Sequence, residues 1–329
     1  MQGRAFFLLS LSAVVLTYVV VVLGAYVRLS DAGLGCPDWP GCYGRMIVSE
    51  QTGVFDGTAI DYGKAWKEMI HRYAAGLLGL MIFLMTVLAW LRRRGAPVGL
   101  VTTIAGLVIF QAALGMWTVT WLLKPAVVSA HLLGGMAILA LLFWLLLGQL
   151  FRFNNTGTDP GLRPWAVAGL LVLVVQIFLG GWTSANYAAL ICPDFPQCRN
   201  GEWLPPLDFS EGFRLWRGLG VNYEGGVLDA AARSAIHISH RIGALITFIV
   251  LTAVACRALR SRMTGIKMTG LLLFAVLIVQ IGLGIANVVM VLPLPVAVAH
   301  NGVAALLLMI IVALLYLSRS RAMLFRPPR

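Results

Sequence analysis

The chain has 329 residues, of which 60% are hydrophobic and only 12% charged, about half the charge density of a soluble domain. That composition excludes a water-soluble enzyme, a disordered tail and a coiled coil, and it points to a polytopic membrane protein. The net charge of +12 would suit nucleic acid, but its distribution along the chain gives it another meaning.

A helix needs ~20 apolar residues to cross a hydrocarbon core of ~30 Å. Residues 6–27 contain no charge at all. This segment is too long for the apolar run of a signal peptide, and it has a counterpart later in the chain, so it reads as a retained helix. Further spans follow in chain order at 68–90, 98–123, 125–150, 165–188, 235–255, 268–292 and 295–317. Only helices suit such segments in lipid. The expected fold is all-α and integral to a membrane, with eight transmembrane helices.

The segments between spans fall into two sets. One comprises the N-terminus, 91–97, 151–163, 257–267 and 318–329, and holds fourteen basic residues against one acid, Asp159. The other holds eleven basic and twelve acidic residues. By the positive-inside rule both termini are cytoplasmic. The positive charge is a topology signal, and no nucleic-acid partner is called for. The large loops 28–67 and about 189–234 then lie outside, each with a close cysteine pair: Cys36 and Cys42 in CPDWPGC, Cys192 and Cys198 in CPDFPQC. An oxidising outer location permits disulfides. They serve as staples or, if exposed and exchangeable, as redox groups. Cys256, at the inner end of the sixth span, is expected to be an unpaired thiol.

The chain repeats internally. Residues 23–42 match 179–198 at an offset of 156, and His71-Arg72, Gln111 and His131 match His240-Arg241, Gln280 and His300 at an offset of 169. The difference of 13 residues falls in the second outer loop. Each unit has four helices and starts on the same side, so the repeat is parallel. The expected domains are an N-terminal four-helix bundle at 1–150, a cytoplasmic linker at 151–163 and a C-terminal four-helix bundle at 164–329.

Four of the five histidines are repeat-related. His71 and His240 sit at the outer ends of their helices. His131 and His300 follow Pro125 and Pro295 by six and five residues, ~8–9 Å along helices that proline suits as a start. Each half thus supplies one pair at similar depth. Neutral imidazole ligates haem iron, and a four-helix bundle is a natural haem container. Glycines at 76, 79, 134, 135 and 243 would let a flat macrocycle approach the backbone. Arg72 and Arg241 are candidates for pairing with haem propionates. The plainer alternative is interhelical hydrogen bonding; zinc lacks companion ligands. Glu68 lies one turn before His71, and its repeat partner is His237. A carboxylate therefore accompanies one pair and not the other, either as a catalytic group or as a solvated helix-start charge. His237 is expected at the surface.

The motifs AYVRLSDAGLGCPDWPGCYGR, EMIHRYAAGLLG, SAHLLGG, CPDFPQC, HISHRIGAL and VAHNGVA, spread from about residue 23 to 310, resemble those of the bacterial heme A synthase family with cysteine pairs in both outer loops. The resemblance implies a membrane oxidoreductase that oxidises the C8 methyl of heme O to a formyl group, giving heme A for cytochrome oxidase. It implies that His240 and His300 hold a permanent b-type haem (heme b, iron). It also implies that His71 and His131 hold the substrate heme O, and that Glu68 takes part in the reaction. Cys36 and Cys42 would matter for function, and the second cysteine pair for structure. It further implies a bacterial inner-membrane location, heme O synthase (protoheme farnesyltransferase) as a partner and a possible homo-oligomer. It identifies no electron acceptor. Rival readings are a di-haem electron carrier, a membrane thiol–disulfide transducer and a haem transporter.

Overall fold

The computed structural model describes residues 2–48, 54–55, 58–92, 96–151 and 159–319. Eight helices in it are long and apolar enough to cross a membrane. They are α1 (Gln2–Leu29), α2 (Tyr62–Arg92), α3 (Val98–Thr120), α4 (Pro125–Leu150), α5 (Arg163–Ala185), α7 (Ala230–Leu259), α8 (Thr264–Val289) and α9 (Leu294–Leu317). A short hairpin, β1 (Val54–Phe55) with β2 (Thr58–Ala59), lies in the loop between α1 and α2, and a single turn, α6 (Phe209–Gly212), in the loop between α5 and α7. All eight expected spans are present. Arg93, Arg94, Arg152, Arg321, Arg326 and Arg329 of the basic set, and residues 152–158 of the expected linker, lie outside the described residues.

The boundaries differ from the hydropathy reading in an informative way. Helices α2 and α7 begin about two turns earlier, at Tyr62 and Ala230, because backbone hydrogen bonding continues beyond the apolar stretch. The Asp229 side chain caps α7 by accepting the Ala232 N–H at 2.8 Å. Helices α3, α5 and α8 stop three residues short of the expected ends. The chain there turns through left-handed residues: Leu122 and Leu123 after α3, Tyr187 after α5, Val291 and Leu292 after α8. This backbone conformation is uncommon for residues with a Cβ and unusual for a β-branched one. It recurs in repeat register, at 122 and 291, 123 and 292, and at Asp31 and Tyr187, so the repeat extends to the backbone.

Helix α1 packs on α2 and α4, and α3 on α2 and α4; likewise α5 packs on α7 and α9, and α8 on α7 and α9. The two sets meet along α1, α4, α5 and α9. One continuous apolar core joins them there, with Leu139, Leu142 and Leu146 of α4 and Ile311 and Leu314 of α9 all buried. Side chains such as Phe83, Ile109, Leu171 and Ile249 are well exposed on the opposite faces. That much contiguous apolar surface is a liability in water and the ordinary exterior of a membrane protein.

Two polar ties at the end that carries the cysteine loops also connect the sets. Arg28 on α1 donates to the Ser184 carbonyl at 2.7 Å and stacks 4.3 Å from the Tyr187 ring centre. Buried Lys124 donates to the Arg217 carbonyl at 2.7 Å, with its ammonium 3.2 Å from the Trp216 ring centre. The second tie comes from the long loop between α5 and α7, which crosses to the α3–α4 connection of the first half, where Tyr223 N–H donates to the Leu122 carbonyl at 3.1 Å.

Candidate functional site

The four repeat-related histidines come together as two pairs, from α2 with α4 and from α7 with α9. In the N-terminal half the His71 and His131 rings have centres 6.5 Å apart, inclined at 69°. A metal bonded to one nitrogen of each ring at about 2 Å, with each nitrogen about 1 Å from its ring centre, would separate the centres by roughly 6 Å. A cavity of about 680 Å³ opens beside them, lined by both histidines, Glu68, Arg72, Gly24, Gly115, Trp39 and Pro40. That volume lies within the range of pockets for sizeable organic ligands. Gly76, Gly79 and Gly135 line it as expected.

Each of the four histidines rests against a glycine of a neighbouring helix. A Cβ at Gly24 would stand 3.1 Å from the His71 ring. Cβ atoms at Gly115, Gly180 and Gly284 would stand 3.2 Å from the rings of His131, His240 and His300. Gly24 and Gly180 are repeat partners at the offset of 156, as are Gly115 and Gly284 at 169. Sequence reasoning missed these four. The available signal was that Gly115 and Gly284 each lie one turn after the matched Gln111 and Gln280. Gly134 and Gly243, expected to face a macrocycle, instead make room for the amides of Gln111 and Gln176.

Glu68 is buried, with 5% of its surface exposed. This corrects the alternative of a solvated helix-start charge: α2 begins six residues earlier, so Glu68 lies in its second turn beneath the cysteine loop. Its Oε2 accepts the Cys36 N–H at 2.9 Å and its Oε1 the Arg72 guanidinium at 2.5 Å. Arg72 donates its other terminal nitrogen to carbonyls within CPDWPGC: Asp38 at 2.8 Å, Pro40 at 3.2 Å, and Gly41. The Asp38 carboxylate accepts the Tyr43 and Gly44 amides at 2.6 and 2.8 Å. The loop is thus folded on itself, closed by the Cys36–Cys42 disulfide, and clamped over the cavity by Arg72.

The C-terminal half repeats the clamp. Arg241 donates to the carbonyls of Asp194 and Gln197 at 2.8 Å and of Cys192 at 3.0 Å, beside the Cys192–Cys198 disulfide. Its Nε is buried without a partner. All four disulfide cysteines are buried, and Cys256 is a free, exposed thiol. His237 is not at the surface as expected. It is 4% exposed, because the early start of α7 carries it two turns into the helix, and its Nδ1 lies 2.8 Å from the Ala188 carbonyl. Glu68 and His237 therefore hold down their respective loops from equivalent positions, one by accepting from a backbone amide and one at a backbone carbonyl.

The amides differ between halves. Gln111 donates to the His131 carbonyl at 2.5 Å. Gln280 lies 3.3 Å from His300 Nε2, and Gln176 lies 3.1 Å from His240 Nδ1. Among the described residues no group of three or more histidine, cysteine, aspartate and glutamate side chains converges as a metal site. Paired imidazoles in an apolar bundle suit instead an iron that brings its own equatorial nitrogens, as in haem. The glycine cradles behind all four rings fit such a group.

Residues 7–312 match the COX15-CtaA family, described as cytochrome oxidase assembly protein. The heme A synthase of Shewanella oneidensis is 48% identical over 311 residues, covering 92% of this chain and 93% of its own. Heme A synthases of Caulobacter sp. and Maricaulis maris are each 27% identical, over 89% and 92% of this chain and 90% and 93% of theirs. With a family match over nearly the whole chain and a close relative matched almost end to end, the chain belongs to the COX15-CtaA family.

Proposed function

We propose that this protein is an oxidoreductase of the membrane that converts heme O to heme A by oxidising the C8 methyl to a formyl group. The single observation that carries the reading is the asymmetry of the two histidine pairs. Both are backed by glycines and roofed by a clamped cysteine loop, but a buried carboxylate, Glu68, accompanies only His71 and His131, at a cavity of about 680 Å³. A di-haem carrier would have no use for that difference.

In this reading the N-terminal bundle is the reacting half. His71 and His131 hold heme O, and the apolar cavity walls exclude water. Glu68, at the cavity wall, accepts protons as an external oxidant takes the methyl through an alcohol to a hydrated aldehyde, the oxygen entering from water or dioxygen, and loss of water then gives the formyl. The C-terminal bundle, with His240 and His300, holds a b-type haem, which supplies electron-transfer chemistry. Arg72 lines the cavity and Arg241 keeps a free buried Nε, so each has a way to meet a propionate while clamping its loop. The enzyme works in the bacterial inner membrane with both termini cytoplasmic, downstream of heme O synthase.

The test is pigment extraction after expression in a host that makes heme O but lacks its own converting enzyme. Formylated haem in the extract is the expected result. Unmodified haem alone would mark a carrier or transporter.

A further inference from the structure

Resting on the reading of His240 and His300 as the b-haem pair, the geometry points to Gln176 as a positioning residue that sets the tautomer of His240. We propose that Gln176, with Gly243, distinguishes the haem-retaining half from the substrate half.

The Gln176 amide nitrogen lies 3.1 Å from His240 Nδ1 and 3.1 Å from the His240 carbonyl, while its Oε1 is buried without a donor. An imidazole that ligates iron through Nε2 carries its proton on Nδ1 and needs an acceptor there. Gln176 Oε1 is the orphaned acceptor beside it. Exchange of the two ends of the amide about the soft terminal torsion of glutamine brings Oε1 to Nδ1–H and turns the amide nitrogen towards Gly243.

Space for this amide comes from Gly243, one turn beyond His240, where a Cβ would collide with Gln176 Oε1. The repeat counterparts are Val20 and Ala74. Val20 lines the cavity one turn before Gly24, just as Gln176 precedes Gly180. The polar residue and its glycine pocket are thus exchanged together for an apolar residue and a methyl. The Nδ1 atoms of His131 and His300 are both buried without a partner, so the halves differ at the His71 and His240 position, where only His240 has an amide beside it. A site that releases its haem each cycle gains from the absence of such a bond. A site that keeps its haem gains from its presence. Outer-shell partners of this kind change metal affinity by about 10–100-fold.

The experiment uses the purified haem-loaded protein and compares Gln176→Leu with Gln176→Glu. Readouts are haem transfer to excess apo-globin and the reduction potential of the bound haem. Gln176→Leu should lose haem about 10–100-fold faster, with a raised potential. Gln176→Glu, which keeps an acceptor, should hold its haem and shift the potential down. Wild-type retention and potential in Gln176→Leu would overturn the proposal, as would equal haem loss in both variants. If Gln176→Leu does not assemble, the direction of the Gln176→Glu shift decides. The double variant Val20→Gln/Ala74→Gly should slow haem release from the N-terminal site, and unchanged release would refute the role in distinguishing the halves. His240→Ala separates this from the underlying reading: a persisting low-spin spectrum there would remove the haem pair itself, and Gln176 with it.

Discussion

At the scale of single residues, the chemistry turns on what a buried charge must do to be tolerated. Glu68 sits among apolar neighbours yet has both oxygens engaged, by a backbone amide and by Arg72. Arg72 in turn donates its other terminal nitrogen to carbonyls of the cysteine loop. Hydrogen bonds to charged groups contribute about 1.5–3 kcal/mol each, so one arginine couples the carboxylate to its roof. Arg72→Ala should loosen that roof without removing the disulfide. We expect the Cys36–Cys42 bond, buried in the native protein, to become reducible by a membrane-impermeant phosphine at least about tenfold faster, which is the smallest opening such an energy implies. An unchanged reduction rate would show that the loop holds itself. That Glu68 and His71 face the same side of one helix was legible from their spacing, and both line the cavity. The role of the arginines as clamps was not, because it depends on loop carbonyls that a sequence cannot direct. His237 was misread for the same reason: its partner is a backbone carbonyl 49 residues away.

At the scale of elements, eight helices were legible because lipid admits few alternatives and each span is long. Their ends were less so. Hydropathy marks where a helix leaves the apolar layer, whereas the helix itself ends where caps or left-handed residues stop it, as at Asp229 and at Leu122–Leu123. Contacts between helices are the other part that hydropathy does not carry. The glycines on α1, α3, α5 and α8 belong to helices that bear none of the histidines, and only the packing brings ring and backbone together. This gives a paired test. Gly180→Val should displace His240 and abolish the low-spin b-type spectrum of the purified protein, whereas Gly24→Val should leave that spectrum intact and abolish heme A formation. Identical spectra in both variants would mean that the cradles do not position the histidines.

Over the whole molecule, the repeat makes two similar histidine pairs, each backed by glycines, and the proposed function assigns different roles to them from small departures from symmetry. The symmetric part was readable from constant offsets of 156 and 169. The departures were readable only where they changed a chemistry-bearing residue, as at Glu68 and His237. The tie made by the long loop between α5 and α7, through Lys124 and Arg217, could be located as 13 extra residues but not directed to its landing place on the other half. Orientation rests on the basic face, much of it outside the described residues, and is directly testable. Trp203 is 60% exposed in the loop between α5 and α7, which the basic face of the sequence would place outside. Trp203→Cys should react with a membrane-impermeant maleimide in intact cells stripped of their outer membrane. Reaction only in inverted vesicles would reverse the topology.

The division of labour itself is tested most directly by Glu68→Gln, which keeps the shape of the side chain and removes its charge. The variant should bind haem in both halves as the parent does, because both histidine pairs and their glycine cradles are intact. Its heme A yield, measured by chromatography of extracted pigments from heme O-producing cells, should fall by about 10²–10⁴-fold, the usual contribution of a general acid–base group. Unreacted heme O or a hydroxylated intermediate should take the place of heme A. A near-parental yield of heme A from Glu68→Gln would contradict the account and reduce the carboxylate to an anchor for the cysteine loop.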